Sequence, residues 1–422
     1  MEARVVSLLF CFFLDTSDTC AKIQRNKVLF RIIKEVFDMK FHVNLVKTVD
    51  DSYDIEIGSN LLNNLKEYLT ESLQQQKRNI AIITDSNVHT IYGKNFEKIV
   101  KEAAIQAAAG ENSVKVNTVV FPAGEKSKTR KIKEYIEDKL IEWGYRRDTL
   151  IIAHGGGVVT DMAGFVAGTF ARGVPFINYA TTLLAAADAS VGGKTAVDTE
   201  AATNLIGLIY QPKKVFIDTA TWKTLEQRDV SGGLAETIKH ACMADKEFFG
   251  YLEENIEKVF DMDSQVCKHI AEKNCEIKYN VVMIDEKEQG LREILNLGHT
   301  VGRAIETVSD YTLSHGEAVS IGIMAQIKLG CKFGYCTQDD VNRVESLLEK
   351  AKLPVKIPQE IDKEALVKKL YTDKKVRGGK LRFVFQKGIG QMVQFAPGTN
   401  AANAVYSNFV SEDTARSIIS EL

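Results

Sequence analysis

The chain has 422 residues, 45% hydrophobic and 26% charged, with 54 Lys and Arg against 56 Asp and Glu and a formal net charge of −2. That length exceeds what one small core accommodates, so two domains are expected. A near-neutral total lacks the field that draws in a nucleic-acid backbone, and no apolar run reaches the roughly 20 residues of a membrane span, so neither nucleic acid nor membrane is expected as a partner.

Residues 5–14 (VVSLLFCFFL) form a short apolar stretch after Arg4, but the DTSDTCAK that follows has no small-x-small cleavage pattern. A second Met stands at position 39, and MKFHVNLVKTVDDSYDIEIG after it reads as an opening strand pair. Residues 1–38 are therefore expected to be an extension outside the functional core. Strands are expected at Asn79–Thr84, Ser113–Phe121, Thr149–Ala153, Pro175–Ala180 and Lys214–Asp218, with amphipathic helices at Asn95–Ala109 and Lys128–Trp143 between them. Such alternation predicts a Rossmann-like, largely parallel sheet covered by helices. After Gly233 helical spacing dominates, over roughly 234–258, 263–284, 298–308, 315–333, 338–351 and 362–372. The one later strand signal pairs Leu381–Phe385 with Met392–Phe395 around a GIG turn. The expected architecture is an α/β domain over 39–228, then an all-helical domain over 229–422 that carries a small hairpin. The seven Cys, at 11, 20, 242, 267, 275, 331 and 336, contain no CxxC pair and read as reduced thiols of a cytoplasmic protein.

Eight of the 29 Gly fall within residues 155–193, where even spreading would place about three. TLIIAHGGGVVTDMAGF (149–165) is a strand, three glycines and a helix start. It is not GxGxxG, and alone it fits a tight turn as well as a pyrophosphate cradle at a helix N-terminus. Asp85 and Asn87 end an earlier strand, Glu125 and Lys128 follow another, and Thr181 and Thr182 a third. In a parallel sheet these ends lie at one edge, which suits a dinucleotide. Lys194 follows paired glycines, where it meets either solvent or an anion. GLAETIKH (233–240) places Glu236, Lys239 and His240 within one turn of an otherwise small and apolar segment. His299 and His315 each begin an apolar helix beside a glycine. Either His alone reads more readily as a packing or capping residue. With Glu236 they would form a His2Glu set that leaves a metal position open for substrate oxygens.

Taken together, GGGVVTDMAGF, TTLLAAADASVGGKTAVD, GLAETIKH, DEKEQGLREILNLGHTVG and SHGEAVSIG resemble the 3-dehydroquinate synthases of the sugar phosphate cyclase superfamily, from about Met39 through the last hairpin. The resemblance implies a dehydroquinate synthase-like fold, NAD in the α/β domain, and a divalent metal, Zn or Co, held by Glu236, His299 and His315. It implies NAD contacts from Asp85, Asn87, Glu125, Lys128, Gly156, Gly157, Asp161, Thr181 and Thr182. Substrate contacts would come from Asp188, Lys194, Asn204, Lys239, Lys278, Arg292, Asn296, Arg303 and one of Lys374 and Lys375. Arg172 would reach a neighbouring subunit's site in a homodimer. The implied reaction converts 3-deoxy-D-arabino-heptulosonate 7-phosphate, a small anionic sugar phosphate, to 3-dehydroquinate and phosphate in the shikimate pathway. The chain departs from the family at Ala202-Thr203, where Gly-Lys is usual, at Arg303, where His is usual, and at Gly232, where a polar side chain is common. A guanidinium does not release a proton near neutral pH, so Arg303 can bind an anion there but not shuttle a proton. Other readings are a paralogous cyclase acting on a related substrate such as an amino-analogue, a metal-dependent polyol dehydrogenase of similar fold, and a relative that binds without turnover.

Overall fold

The computed structural model describes residues 42–108, 114–200, 202–371, 381–398 and 400–422. Residues 42–50 belong to one unit and residues 51–422 to another. In the first, residues 42–50 are exposed and carry no regular structure. The expected opening strand pair is therefore a single strand, β1 (Asp54–Gly58). Val43, Leu45, Val46 and Val49 are all at least two-thirds exposed, so the alternating apolar pattern there buries nothing.

In the second unit, β1, β2 (Asn79–Asp85), β3 (Val116–Phe121), β4 (Thr149–Gly155), β5 (Phe176–Ala180) and β8 (Lys214–Asp218) form one six-stranded sheet in the order β1-β8-β5-β4-β2-β3. Every pairing in it is parallel. β4 and β5 are buried along their whole length, because both faces of a parallel sheet are covered. Strand alternation divides the core. Ile80, Ile82, Leu150 and Ile152 pack with α1 (Leu62–Gln75) and α2 (Lys94–Ala108). Ala81, Ile83, Ile151 and Ala153 pack on the other face with α3 (Arg130–Glu142) and α4 (Gly157–Thr169). A two-stranded antiparallel ribbon, β6 (Lys194–Val197) with β7 (Ile206–Ile209), was not expected from the sequence. Its strands have four residues each and alternate too briefly to stand out.

The helices α5 (Gln227–Ala244), α6 (Lys246–Asn255), α7 (Ser264–Ile284), α8 (His299–Val308), α9 (His315–Lys332), α10 (Gln338–Lys350), α11 (Lys363–Leu370) and α12 (Glu412–Glu421) follow. The stretch 234–258, expected as one helix, is divided at Asp245, whose carboxylate accepts from Phe248 N at 2.8 Å and starts α6 as an N-cap. The expected hairpin is also altered. Its tight turn forms, with Val393 N donating to Phe385 O at 2.8 Å, but the ladder of β9 (Arg382–Val384) is made with β10 (Ser407–Phe409). No helix of the described residues is long and apolar enough to cross a membrane.

Candidate active site

Because the sheet is parallel, the carboxyl ends of β2, β3, β4 and β5 open at one edge, and a cavity of about 810 Å3 lies there. Asp85, Asn87, Glu125, Lys128, Gly156, Gly157, Asp161, Thr181 and Thr182 all line it, as does Gly232. Asp85 is also a cap, accepting from Asn87 N at 2.8 Å and Val88 N at 2.9 Å. Lys128 is nearly buried, 2.5 Å from Asp161 and 2.7 Å from Asn204 Oδ1. Burial works against its charge, and Asp161 and Glu125 outweigh that and hold the ammonium well above its usual pKa.

The fit of a dinucleotide can be tested on α4. Its N-cap, Gly156, has no side chain to bond the free N–H groups of the first turn, so they remain available to phosphate oxygens. A Cβ on Gly156 would stand 3.0 Å from Thr182 Cγ2, so the backbone is pressed against the cavity wall where a side chain would obstruct it. The residues present fit NAD. His154, just before the glycines, belongs to the core. It stacks on Phe96 with centroids 3.6 Å apart, and burial lowers its pKa to about 3.

A second cavity, about 310 Å3, shares Asp161, Asp188, Ala189, Asn204, His299 and Arg303 with the first. Lys194, Lys239, Lys278, Arg292 and Asn296 also line it. Lys278 Nζ lies 2.6 Å from Asp188 Oδ1. Burial opposes the charge on Asp188, but Lys278 and Lys239 overcome it and hold the carboxyl well below the usual range. Arg292 is buried and donates to Glu286 O at 2.5 Å and Gly192 O at 2.9 Å. Lys194 pairs with Glu288, which also accepts from Asn296 Nδ2 at 2.6 Å. Its side chain is half exposed to the cleft, yet the surrounding walls desolvate it and bring its pKa down to about 8 against the pull of Glu288.

Glu236 on α5, His299 at the start of α8 and His315 at the start of α9 offer three ligand atoms within 4.8 Å of one another. Their partners assign the tautomers. His299 Nδ1 lies 3.0 Å from Leu297 O and His315 Nδ1 lies 3.0 Å from Glu306 Oε1, acceptors that require a proton on each Nδ1. Nε2 of each ring then lies toward Glu236 Oε1, at 3.5 and 3.3 Å, and is the nitrogen whose lone pair a metal would take. Two lone pairs and a carboxylate turned on one point call for a cation, so this donor set fits a divalent metal. Without one, burial would depress His315, but Glu306 and Glu236 prevail and hold its imidazole well above the usual pKa. For His299, burial, reinforced by Lys239 and Arg303, outweighs the opposing pull of Glu236, and its pKa falls well below the usual value.

The structure thus gathers every expected site residue except three. Arg172 is exposed at φ +69° and lines neither cavity, while Lys374 and Lys375 lie outside the described residues. Sequence reading missed Glu306 and Glu288. Glu306 stands seven residues after His299, two turns along the same helix face, and that spacing could have marked it. Glu288 lies in DEKEQG, whose turn is organised by Asp285 accepting from Gln289, Gly290 and Arg292 N–H groups, and no periodicity announces such a loop.

Residues 118–232 match the family described as 3-dehydroquinate synthase N-terminal, and residues 233–376 the family described as 3-dehydroquinate synthase C-terminal. A 3-dehydroquinate synthase of Pelobacter propionicus is 42% identical over 345 residues, 82% of this chain and 93% of that one. Among solved structures, ValA, a 2-epi-5-epi-valiolone synthase from Streptomyces hygroscopicus with NAD+ and Zn2+ bound, superposes with a TM-score of 0.75 at 25% identity over 90% of this chain and 99% of that one. A 2-deoxy-scyllo-inosose synthase complexed with carbaglucose-6-phosphate, NAD+ and Co2+ shares the fold, with a TM-score of 0.77 at 24% identity over 87% and 96%. By the match along both halves and the identity to such relatives, the chain belongs to the 3-dehydroquinate synthase family.

Proposed function

We propose that the protein converts 3-deoxy-D-arabino-heptulosonate 7-phosphate to 3-dehydroquinate and phosphate in the cytoplasm. NAD+ would occupy the larger cavity, and Zn2+ or Co2+ would bind Glu236, His299 and His315. One observation carries this reading: the three converging ligand atoms adjoin a pocket lined by Lys194, Lys239, Lys278, Arg292 and Arg303, and this pocket opens into the glycine-floored cavity. When bound, NAD+ supplies a transient oxidation and its reversal, and the metal polarises substrate hydroxyls. The chain's own groups bind and orient. Cations at several separate places suit a ligand with a carboxylate at one end and a phosphate at the other. Asp188 holds Lys278, Asn204 and Asn296 offer amides to hydroxyls, and Lys239 balances Glu236. Arg303 neutralises charge without exchanging a proton, so the leaving phosphate takes up the proton beside the transient ketone. The α/β part would extend to residue 228 and the helical part from 229. Arg172 would serve a neighbouring subunit in a homodimer.

Purified protein given NAD+, Zn2+ and the heptulosonate phosphate should release phosphate and form dehydroquinate with no lasting NADH absorbance. Absence of phosphate release, with metal and NAD+ demonstrably bound, would refute the assignment. Accumulating NADH would point instead to a polyol dehydrogenase. Thr203 and Arg303 depart from the family and so leave a second reading, a cyclase acting on a related substrate such as an amino-analogue, and supplying that analogue in parallel distinguishes the two.

A further inference from the structure

Two helices supply the Glu236–His315 half of the metal set, and a metal site tolerates only about 0.2 Å of error in its ligand distances. The register of α9 on α5 is therefore a functional quantity. Arg228, in the first turn of α5, reaches Glu317 in the first turn of α9: Nε donates to Oε1 at 2.8 Å and Nη2 to Oε2 at 2.6 Å. The same Nη2 donates to Thr312 O at 2.6 Å, just before the helix. Glu317 Oε2 also accepts from Ser314 N at 2.7 Å, and Ser314 Oγ accepts from Glu317 N at 3.4 Å, closing a capping box around His315 and Gly316. Gly316 lies so close to α5 that a Cβ there would stand 2.3 Å from Gly232 Cα. The residues on both sides of His315 are thus tied to the helix that carries Glu236.

We infer that Arg228 and Glu317 are a positioning pair for the metal: their two-pronged ion pair sets the first turn of α9 on α5 and so aims His315 at the ion. This rests on the reading that Glu236, His299 and His315 hold a divalent metal. Arg228 is 55% exposed and Glu317 17%. An ion pair that open to solvent adds little to stability. What it contributes is direction, because a bidentate guanidinium–carboxylate pair admits one geometry. The chain contains a matched control. Arg343 on α10 and Glu253 on α6 form the same bidentate pair, at 2.9 and 2.6 Å, with exposures of 32% and 28%, and neither residue is among the metal set or lines a cavity described above.

The test titrates Zn2+ into the full-length protein against a competing chelator, records the visible absorption of the Co2+ form, and measures melting of the metal-free protein. Glu317→Gln keeps the capping box, since Gln serves at that position, and removes the charge. It is expected to weaken Zn2+ binding roughly tenfold, as loss of an outer-shell partner does, and to alter the Co2+ band. Arg228→Met should match it, and Arg228→Lys, which keeps the charge but not the fork, should fall between. Glu253→Gln should lower the melting temperature as much as Glu317→Gln does and leave Zn2+ affinity at the wild-type value. Wild-type affinity in Glu317→Gln, or equal weakening in Glu253→Gln, overturns the inference. If the wild-type protein itself fails to bind Zn2+ or Co2+ stoichiometrically, the metal reading falls and the inference with it.

Discussion

Glu306 accepts a hydrogen bond from His315 Nδ1 at 3.0 Å, and this contact fixes which ring nitrogen carries the proton. The other, Nε2, lies 3.3 Å from Glu236 Oε1 and is the nitrogen that would give its lone pair to a metal. Two carboxylates thus grip one imidazole from opposite ends, one setting its orientation and the other sharing its ligand point. Glu306→Ala is expected to weaken metal binding by about 10- to 100-fold with the fold intact. Metal affinity and far-UV circular dichroism check this, and unchanged affinity would show that Glu306 serves only to pack α8.

Lys194 titrates where assays are run. With burial in the cleft pulling its pKa to about 8, it is charged below that pH and neutral above it. An anionic substrate is therefore held more weakly above pH 8 than below it, so KM should rise as pH passes through that value. In Lys194→Arg the guanidinium stays charged, and the alkaline rise should move to higher pH. KM profiles of both proteins decide the point, and superimposable profiles would exclude Lys194 from binding.

The contact between Gly316 and Gly232 is asymmetric. A Cβ on Gly316 would meet Gly232 Cα and O at 2.3 Å, whereas one on Gly232 meets nothing within 4 Å. Gly316→Ala must push α9 away from α5, at a cost of about 1–3 kcal/mol, and should weaken metal binding at the same time. Gly232→Ala should leave stability within about 0.5 kcal/mol of wild type apart from the helix-propensity gain. Chemical denaturation of the two variants tests this directly.

Lys128 compensates Asp161 inside a wall of the larger cavity. Lys128→Met leaves that part-buried carboxylate without its ammonium, for which a loss of about 1–3 kcal/mol is expected. Asp161→Asn in the same background should restore part of the stability, because the uncompensated charge is removed. If the double variant is no more stable than Lys128→Met, the pair is not the source of the loss.

Much of the site was legible because its residues lie where local pattern and chemistry coincide. Asp85, Gly156, Thr181 and Thr182 stand at strand ends, and a parallel sheet brings all such ends to one edge whatever the details of packing. Glu236, His299 and His315 stood out as polar groups in small, apolar helices. Glu288 and Glu306 did not, since carboxylates are ordinary in a sequence and become specific only through the side chain they touch. The division of 234–258 at Asp245 and the pairing of β9 with β10 in place of 392–395 were equally hidden. A single N-cap outweighs helical periodicity, and a short strand accepts whichever edge the tertiary fold presents.

The sequence alone determined the strand–helix alternation, the parallel sheet and the chemical types gathered for the site, because hydrophobic period and residue type are local properties. Tertiary structure decided the rest. It set the 4.8 Å convergence of Glu236, His299 and His315 from three helices, and it gave each Nδ1 an acceptor, which turns both Nε2 atoms toward one carboxylate. It also gave Lys194 a pKa near 8. These depend on distance and on exclusion of water between residues far apart in the chain, and no local pattern encodes either.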